Sequence, residues 1–447
     1  MKKGASLWLF LIGLGSQTQF YFVGSIGISE LPVFLIAPFL YFKNFRRIRH
    51  DGFNTLVLLA IASCVGCIVS SLVNQSPLIF LIKAFAFPYA IFAATVVFHH
   101  FLRDDLDGMK WFLLGVFFSL IVNVFVFQPA VHTYKDGYFV TGEDAVAAMM
   151  GYALFWTHRI KMLFCLPVFV SYLSVPLVYS FFTLVAAAGI SIFYSSGSGR
   201  SAALVSLLAA FLILKGGKKR ASIAGIGRHF VLYILIGTCL LFAMKFVYSY
   251  AASNGLLGFD AQTKYMRQTS RGTGIIDLLM GGRMEAFCGL LAALDRPIMG
   301  HGAKAEDRNG YLERYLEKYG SSEDLQRYLE SLMLASKSGL GGYRFIPLHS
   351  YIISFWVQYG IMGLFFWLYV LYLVFMYFKR YASAIPQWYG YLCVSISAFI
   401  WDVIFSPFSD RLGVPFMICC ILFARAVYKR RLPLPYNMEI EIQKLEA

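Results

Sequence analysis

Apolar segments long enough to cross a lipid bilayer follow one another along almost the whole chain, and no other feature restricts the fold as strongly. Hydrophobic residues fill 59% of the 447 positions and charged residues only 14%. Soluble domains carry about 25% charged residues. Inside a bilayer, backbone amides must be paired internally, and apolar stretches of about 20 residues indicate helices. We therefore predict an all-α polytopic membrane protein.

The apolar segments amount to about 12 predicted transmembrane helices. The second is short. The seventh is long and contains Pro167 and Pro176, which leaves kinking, tilting and partial re-entry open. The predicted spans cover residues 5–23, 28–42, 53–72, 77–98, 110–128, 144–160, 163–194, 201–215, 230–250, 350–378, 388–405 and 412–428.

One long polar segment, from about Ala251 to Leu348, interrupts this pattern. Within it the sequence predicts helices over 282–295, over 311–319, and from Ser321 to about Ala335, with Arg296-Pro297 stopping the first. The predicted division is residues 1–250 with spans 1–9, residues 251–348 as a loop domain, residues 349–428 with spans 10–12, and residues 429–447 as a tail.

The net charge of +15 comes largely from basic residues clustered in short connections between spans. Such clusters anchor the cytoplasmic side of a membrane protein, so they argue against a nucleic-acid partner. Their alternation predicts that both termini are cytoplasmic and that the long loop lies on the outer face. The clusters are Lys43, Arg46, Arg47 and Arg49; Lys215, Lys218, Lys219, Arg220 and Arg228; Lys379 and Arg380; and Lys429, Arg430 and Arg431.

Arg200 lies at the outer end of a very apolar segment, after a run of serines and glycines. An arginine at that depth is unfavourable unless it is paired or reaches the headgroups, so it is a functional candidate. The alternative role is an interfacial anchor. The neighbouring glycines favour a close approach of the backbone to a ligand.

Four further residues complete the candidate site on the predicted outer face. Arg283 follows Gly281-Gly282 at a predicted helix start, where free amides and a guanidinium suit phosphate oxygens. His349 follows Pro347 where the chain re-enters the membrane, and histidine is the side chain suited to proton transfer near neutral pH. Arg344 and Arg411 are predicted to bind substrate. The structural alternatives are a solvated surface charge for Arg283 and a polar anchor for His349.

Metal and cofactor motifs are missing from the sequence. It contains no HExxH, no paired CxxC with metal spacing, no GxSxG and no phosphate-binding GxxxxGK[ST]. We therefore expect neither a metal nor a cofactor. The carboxylates of Glu30, Asp402 and Asp410 lie near predicted membrane edges, where each could act as a base or balance Arg411 and other cations.

Several short motifs, taken in order, resemble the O-antigen ligase and Wzy-type O-antigen polymerase superfamily. They are Gly197-Ser-Gly-Arg200-Ser-Ala-Ala-Leu, Arg283 to Phe287, Asp295-Arg-Pro-Ile-Met-Gly-His-Gly302, His349-Ser-Tyr and Gly360-Ile-Met-Gly363. The likeness covers about residues 195–375 and extends to the layout of spans. It implies a metal-independent glycosyltransferase of the bacterial inner membrane with a periplasmic loop.

The resemblance also implies roles for the candidate residues. Arg200 and Arg283 would hold the diphosphate of an undecaprenyl-diphosphate-linked donor, and His349 would activate the acceptor hydroxyl or support the departing phosphate. Membrane lipids are expected neighbours, and a chain-length regulator is a partner that the resemblance allows. The sequence departs from the family pattern at Phe287, often Trp; at Ser350, often Asn; at Gln358, often Glu; and at His301, usually aliphatic.

Three functions stay open at this point. A polymerase would transfer the growing glycan, with inversion, to a carrier-linked repeat unit, whereas a ligase would transfer it to lipid A-core. We prefer the polymerase because such enzymes serve many polysaccharide pathways. A transporter or flippase predicts repeat symmetry and charges buried in mid-span, and the sequence shows neither clearly.

Overall fold

The computed structural model describes residues 3–16, 19–21, 25–104, 106–122, 184, 199–216, 246, 249–251, 253–256, 262, 265–266, 284–319, 345–406 and 411–430. Its helices are α1 (Lys3–Gly15), α2 (Glu30–His50), α3 (Asn54–Val73), α4 (Leu78–Leu102), α5 (Gly108–Val122), α6 (Gly199–Gly216), α7 (Met284–Asp295), α8 (Tyr311–Tyr319), α9 (Tyr351–Tyr359), α10 (Ile361–Tyr381), α11 (Tyr389–Phe405) and α12 (Gly413–Arg430). Strands β1 (Gln19–Tyr21) and β2 (Ser25–Gly27) pair between α1 and α2, and two 3-10 turns, Ala382–Ala384 and Pro386–Trp388, join α10 to α11.

Three helices in the described ranges are long and apolar enough to cross a membrane: α3, α4 and Ile361–Ala384, which is α10 with the turn after it. Large apolar side chains of α2 and α3 are exposed, with Leu35 80%, Phe42 78% and Leu72 68% accessible. Exposed apolar surface on this scale marks a surface that water does not cover. A helical protein compatible with membrane insertion is thus confirmed. The count of about 12 spans stays a prediction, since most of 144–160, 163–194 and 230–250 lies outside the described residues.

One large apolar core joins α1 to α5 with α9 to α12. Close helix crossings build it: a side chain at Gly13 of α1 would collide with the carbonyl of Phe112, and one at Gly115 of α5 with the carbonyl of Phe10. Small residues let helix backbones approach where no hydrophobic effect drives them together. A smaller core packs α7 and α8 against α9. The long loop is therefore attached to the helix bundle in its described part.

The first predicted span, 5–23, was too long. Helix α1 ends at Gly15, where the Ser16 hydroxyl donates to the Gly13 carbonyl at 2.7 Å and the Ser16 amide donates to the same oxygen at 3.1 Å. Such local bonds compete with continuation of a helix. The chain then turns into the β1–β2 pair before α2 begins.

The predicted span 350–378 is two helices, α9 and α10, separated at Gly360. Gly360 has φ +65°, and a side chain there would collide with the Ile298 carbonyl. Only glycine meets both demands at once. The Ile361 amide donates to the same Ile298 carbonyl at 3.0 Å. The interruption is therefore fixed by a contact with the long loop.

Both loop helices that fall in the described ranges are confirmed. The expected helix over 282–295 is described from Met284 to Asp295 and ends before Arg296-Pro297, and the helix over 311–319 has the predicted bounds. The Asp307 carboxylate accepts the Tyr311 and Leu312 amides, at 2.7 and 3.0 Å, and so caps the start of α8. The helix predicted from Ser321 lies outside the described residues, and the domain boundaries stay predictions.

Basic residues converge at one end of the bundle. The Asp51 carboxylate, after α2, accepts from Arg103 Nε at 2.7 Å and lies 2.9 Å from His99 Nε2, both at the end of α4. Burial raises the pKa of Asp51, but hydrogen bonds from Arg103, His50 and His99 outweigh burial and leave the pKa lowered. Arg425 of α12 lies against Gly52 and over the Tyr377 ring of α10. The basic ends of α2, α10 and α12 thus share one end.

Candidate functional site

His349 is exposed and precedes a firmly anchored residue at the opposite end of the bundle. Ser350 is the N-cap of α9, and its hydroxyl accepts from the Ile353 amide at 3.2 Å. The same hydroxyl donates to the Val403 carbonyl of α11 at 2.8 Å, and Ser350 is fully buried. The backbone on the C-terminal side of His349 is therefore fixed, while the imidazole is accessible.

The antiparallel packing of α6 and α11 brings Arg200 to this end. The Tyr389 hydroxyl donates to the Leu212 carbonyl at 3.1 Å, and Ala209 shares a small core with Cys393. At 1.5 Å per residue, Arg200 lies about 18 Å along α6 from Leu212, and Val403 lies about 21 Å along α11 from Tyr389. The backbone of Arg200 is thus level with the carbonyl that anchors Ser350.

Arg283 and Arg344 lie outside the described residues, but the segments that follow each of them are described. Helix α7 begins one residue after Arg283 and packs on α9: a side chain at Gly289 would come within 3.1 Å of the Pro347 carbonyl. Phe345, directly after Arg344, forms an isolated antiparallel bridge with Glu306. Helix α7, which follows Arg283, therefore contacts the chain around His349, whereas the residue after Arg344 is paired with Glu306.

Arg411 forms an ion pair with Glu30, with 2.8 Å between Nη1 and Oε2, and its guanidinium lies 4.8 Å from the centre of the Phe87 ring. Only 12% of the Arg411 side chain and 6% of the Glu30 side chain are accessible. Of the two roles considered for Glu30, charge balance is the one that this geometry provides. Whether Arg411 also binds substrate stays a prediction.

A polar pocket of about 260 Å³ lies between the α3–α4 turn and the chain that follows α7. The sequence did not predict this pocket, although Arg296 and His301 belong to one of the motifs that carry the family resemblance. Four side chains in its lining are charged, three of them basic and one acidic. The lining residues are Asn74, Gln75, Ser76, Pro77, Phe80, Arg296, His301, Ala303, Lys304, Ala305, Glu306, Arg308, Asn309, Tyr311 and Phe345.

Hydrogen bonds hold the lining segment to α3 and α9. The Asn74 side-chain Nδ2 donates to the Gly300 carbonyl at 3.2 Å, and the His301 backbone amide donates to the Val357 carbonyl at 2.6 Å. A side chain at Gly302 would come within 2.5 Å of Ser76 Oγ. Residues 295–302 and 360–363, two of the motifs that carry the family resemblance, therefore pack together. Their glycines allow the backbones to approach closely.

Burial controls the charges around this pocket. It lowers the pKa of His301, whose Nε2 lies 2.8 Å from the Ala292 carbonyl and must donate to it. It also lowers the pKa of Lys304, helped by the nearby charge of Lys83. Burial and a hydrogen bond to Asp295 raise the pKa of Tyr311 to about 12. Tyr311 thus stays a neutral donor, and Lys304 lies in a positive environment.

The chain was also compared with known proteins. Its sequence matches no protein-family model and none of the curated proteins.

Proposed function

We propose that this protein is a lipid-linked glycan polymerase of the bacterial inner membrane. It would transfer a growing polysaccharide from undecaprenyl diphosphate to a carrier-linked repeat unit at the periplasmic face, without a metal ion. In this proposal the basic end of the bundle faces the cytoplasm, and His349 and the polar pocket face the periplasm.

The observation that carries the proposal is the setting of His349. A general base must be accessible to the reacting hydroxyl and must be held in position. The His349 side chain is exposed, and the two hydrogen bonds of the Ser350 hydroxyl fix the backbone directly after it. The backbone of Arg200 is level with this anchor, as the packing of α6 on α11 requires. A proton acceptor and a cation on one face support group transfer from an anionic leaving group.

The proposed step forms one glycosidic bond and breaks one bond to phosphate. The acceptor hydroxyl gives its proton to His349 as its oxygen attacks the anomeric carbon, and the bond from that carbon to the diphosphate oxygen breaks. Arg200 and Arg283 would stabilise the negative charge that grows on the departing diphosphate. Attack opposite the leaving group inverts the anomeric carbon. His349 then releases its proton to the diphosphate or to water.

A reconstituted assay tests this step. Purified protein with a carrier-linked repeat unit is expected to lengthen the glycan in the presence of a chelator. His349→Ala and Arg283→Ala are expected to lower the rate at least about a hundredfold, the usual range for losing a general base or a charge-stabilising group. His50→Ala is the matched control, because the His50 side chain is 85% accessible and lies at the other end.

The same assay tests the site and the mechanism, and it distinguishes a polymerase from a ligase. Full activity of both His349→Ala and Arg283→Ala would refute the site, and a strict need for a divalent metal would refute the mechanism. Lipid A-core and a second repeat unit are then supplied together as competing acceptors. Transfer to the repeat unit supports the polymerase, whereas transfer to lipid A-core alone would make the protein a ligase.

A further inference from the structure

Both non-glycine residues with positive φ in the described ranges line the same pocket. Gln75 has φ +53° and Lys304 has φ +44°, values in the left-handed region that side chains other than glycine rarely adopt. The positive φ of Gln75 closes helix α3, where the Gln75 and Ser76 amides donate to the Leu72 and Ser71 carbonyls at 3.2 and 2.8 Å. Lys304 does not end a helix, and strain of this kind persists only where the surroundings impose it. Here the Lys304 amide donates to Gln358 Oε1 at 3.3 Å, and the Ala303 amide to Ser71 Oγ at 3.2 Å. The fold holds Lys304 in an unfavourable conformation in the pocket wall.

The positive charge of the pocket is only partly balanced. Arg308 pairs with Glu306 at 3.0 Å, which accounts for the one carboxylate in the lining. Arg296 donates to the neutral Asn74 side chain at 2.6 Å. Lys304 Nζ lies 5.9 and 5.8 Å from the ring centres of Phe80 and Phe345, and none of the described carboxylates pairs with it. Asp295, which accepts hydrogen bonds from Tyr311 and Asn309 of the lining, offsets part of the Arg296 charge. Lys304 is therefore the main cation available to an anion, with Arg296 as a partly balanced second one.

The rest of the wall suits a sugar. Aromatic faces and side-chain amides lie beside the cations, and sites of this kind use a few placed polar groups to orient a ligand against apolar walls. We propose that this pocket binds an acidic sugar unit of the glycan, with its carboxylate or phosphate group held between Lys304 and Arg296. The proposal rests on the proposed function for the identity of the ligand as a glycan.

The pocket is close enough to His349 to belong to the same substrate. Phe345 lines the pocket and stands four residues before His349. Four residues of fully extended chain span at most about 14 Å, so the backbone of His349 lies within that distance of the backbone of Phe345. A short oligosaccharide covers such a gap. The acidic unit would therefore position the glycan while a neighbouring sugar reacts.

Ligand-observed NMR titration of the full chain in nanodiscs tests the pocket without turnover. The probes are glucuronate, glucose 6-phosphate, glucose and inorganic phosphate. We expect glucuronate or glucose 6-phosphate to bind at least about tenfold more tightly than glucose and inorganic phosphate, because a charged contact contributes on this scale. Which of the two acidic sugars binds more tightly identifies the carboxylate or the phosphate as the recognised group.

Variants locate the binding. Lys304→Asn removes the charge but keeps a residue that tolerates positive φ, and it is expected to weaken acidic-sugar binding about tenfold. Lys304→Arg should retain binding. Lys379→Gln removes one exposed charge at the other end of the bundle and should leave binding unchanged. Unfolding temperatures confirm that each variant is folded.

The outcomes separate this proposal from the proposed function. Equal binding of glucose, competition by inorganic phosphate at equal strength, or unchanged acidic-sugar binding in Lys304→Asn would each overturn the pocket assignment, even if polymerisation is active. Selective binding that Lys304→Asn removes would uphold it, even if the protein fails to lengthen any glycan and the proposed function is lost.

Discussion

The buried ion pair between Arg411 and Glu30 gives a prediction about stability that also bears on the site. Glu30→Gln keeps the size of the side chain and an oxygen for the Gly27 amide, which donates to Glu30 Oε2 at 3.1 Å. It removes the charge that faces Arg411 at 2.8 Å. Because only 12% of the Arg411 side chain is accessible, water replaces little of the lost interaction. We expect Glu30→Gln to destabilise the protein markedly.

The expected magnitude follows from the burial of both groups. Removing one partner of a buried pair costs about 3–5 kcal/mol, whereas replacing both partners with neutral residues is often nearly neutral. Glu30→Gln should therefore lose about 3 kcal/mol, since the amide still offers one hydrogen bond to Arg411. The double variant Glu30→Gln/Arg411→Met should lose much less than the sum of its single changes. Thermal unfolding of the four proteins in one detergent measures this coupling.

Glu306→Gln is the matched control, because it breaks an exposed ion pair with Arg308. The Glu306 side chain is 39% accessible and the Arg308 side chain is 76% accessible. That change should cost less than about 1 kcal/mol. The reasoning is refuted if Glu30→Gln is no more destabilising than Glu306→Gln, or if the single effects simply add. A stable and active double variant would assign Arg411 to the fold alone. A stable but inactive one would support its predicted role in substrate binding.

Three further predictions concern single positions. Ser350→Ala removes the cap of α9 and the bond to Val403, so it should lower the unfolding free energy by about 2 kcal/mol and reduce kcat more than the control variants do. Asp51 has a lowered pKa when folded, so it adds stability above its ordinary pKa of 3.8 that is lost as the pH falls through the folded pKa; Asp51→Asn should flatten the acid side of the unfolding-temperature profile measured below about pH 4. Gln358→Glu should weaken acidic-sugar binding in the NMR titration, and an unchanged affinity would contradict the charge argument; its unfolding temperature should also fall, because the change buries a carboxylate and breaks the bond from Gln358 Nε2 to the Ser354 carbonyl.

Local signals made the loop helices predictable. Arg296-Pro297 stops α7 because proline cannot continue a helix, and the bounds of α8 follow from its own pattern. The spans at 53–72 and 77–98 also lie close to the described α3 and α4. In each case the residues that determine the element lie within it or beside it in the sequence.

The break at Gly360 and the pocket were not predicted, because both depend on contacts between residues far apart in the sequence. The break at Gly360 depends on the Ile298 carbonyl, and nothing in the apolar run 350–378 reveals that partner. The pocket forms because Asn74 bonds to Gly300, 226 positions later. No local sequence pattern predicts that the α3–α4 turn contacts Arg296, which follows α7. Of the predicted site residues, His349 was selected because it stands where the polar loop meets an apolar segment, and its role in a site stays a prediction.

Two polar residues, Gln358 and His301, shape the surroundings of Lys304. Gln358 is buried, and its oxygen accepts the strained Lys304 amide at 3.3 Å. A glutamate would accept the same bond, but it would also place a negative charge beside the pocket and compete with an anionic ligand for Lys304. Glutamine keeps the backbone in place and leaves the cation free to act. His301 similarly contributes a hydrogen bond to Ala292 at 2.8 Å while burial disfavours its charged form. Both residues therefore favour a pocket whose positive charge is carried by Lys304 and Arg296 and is available to the proposed acidic sugar.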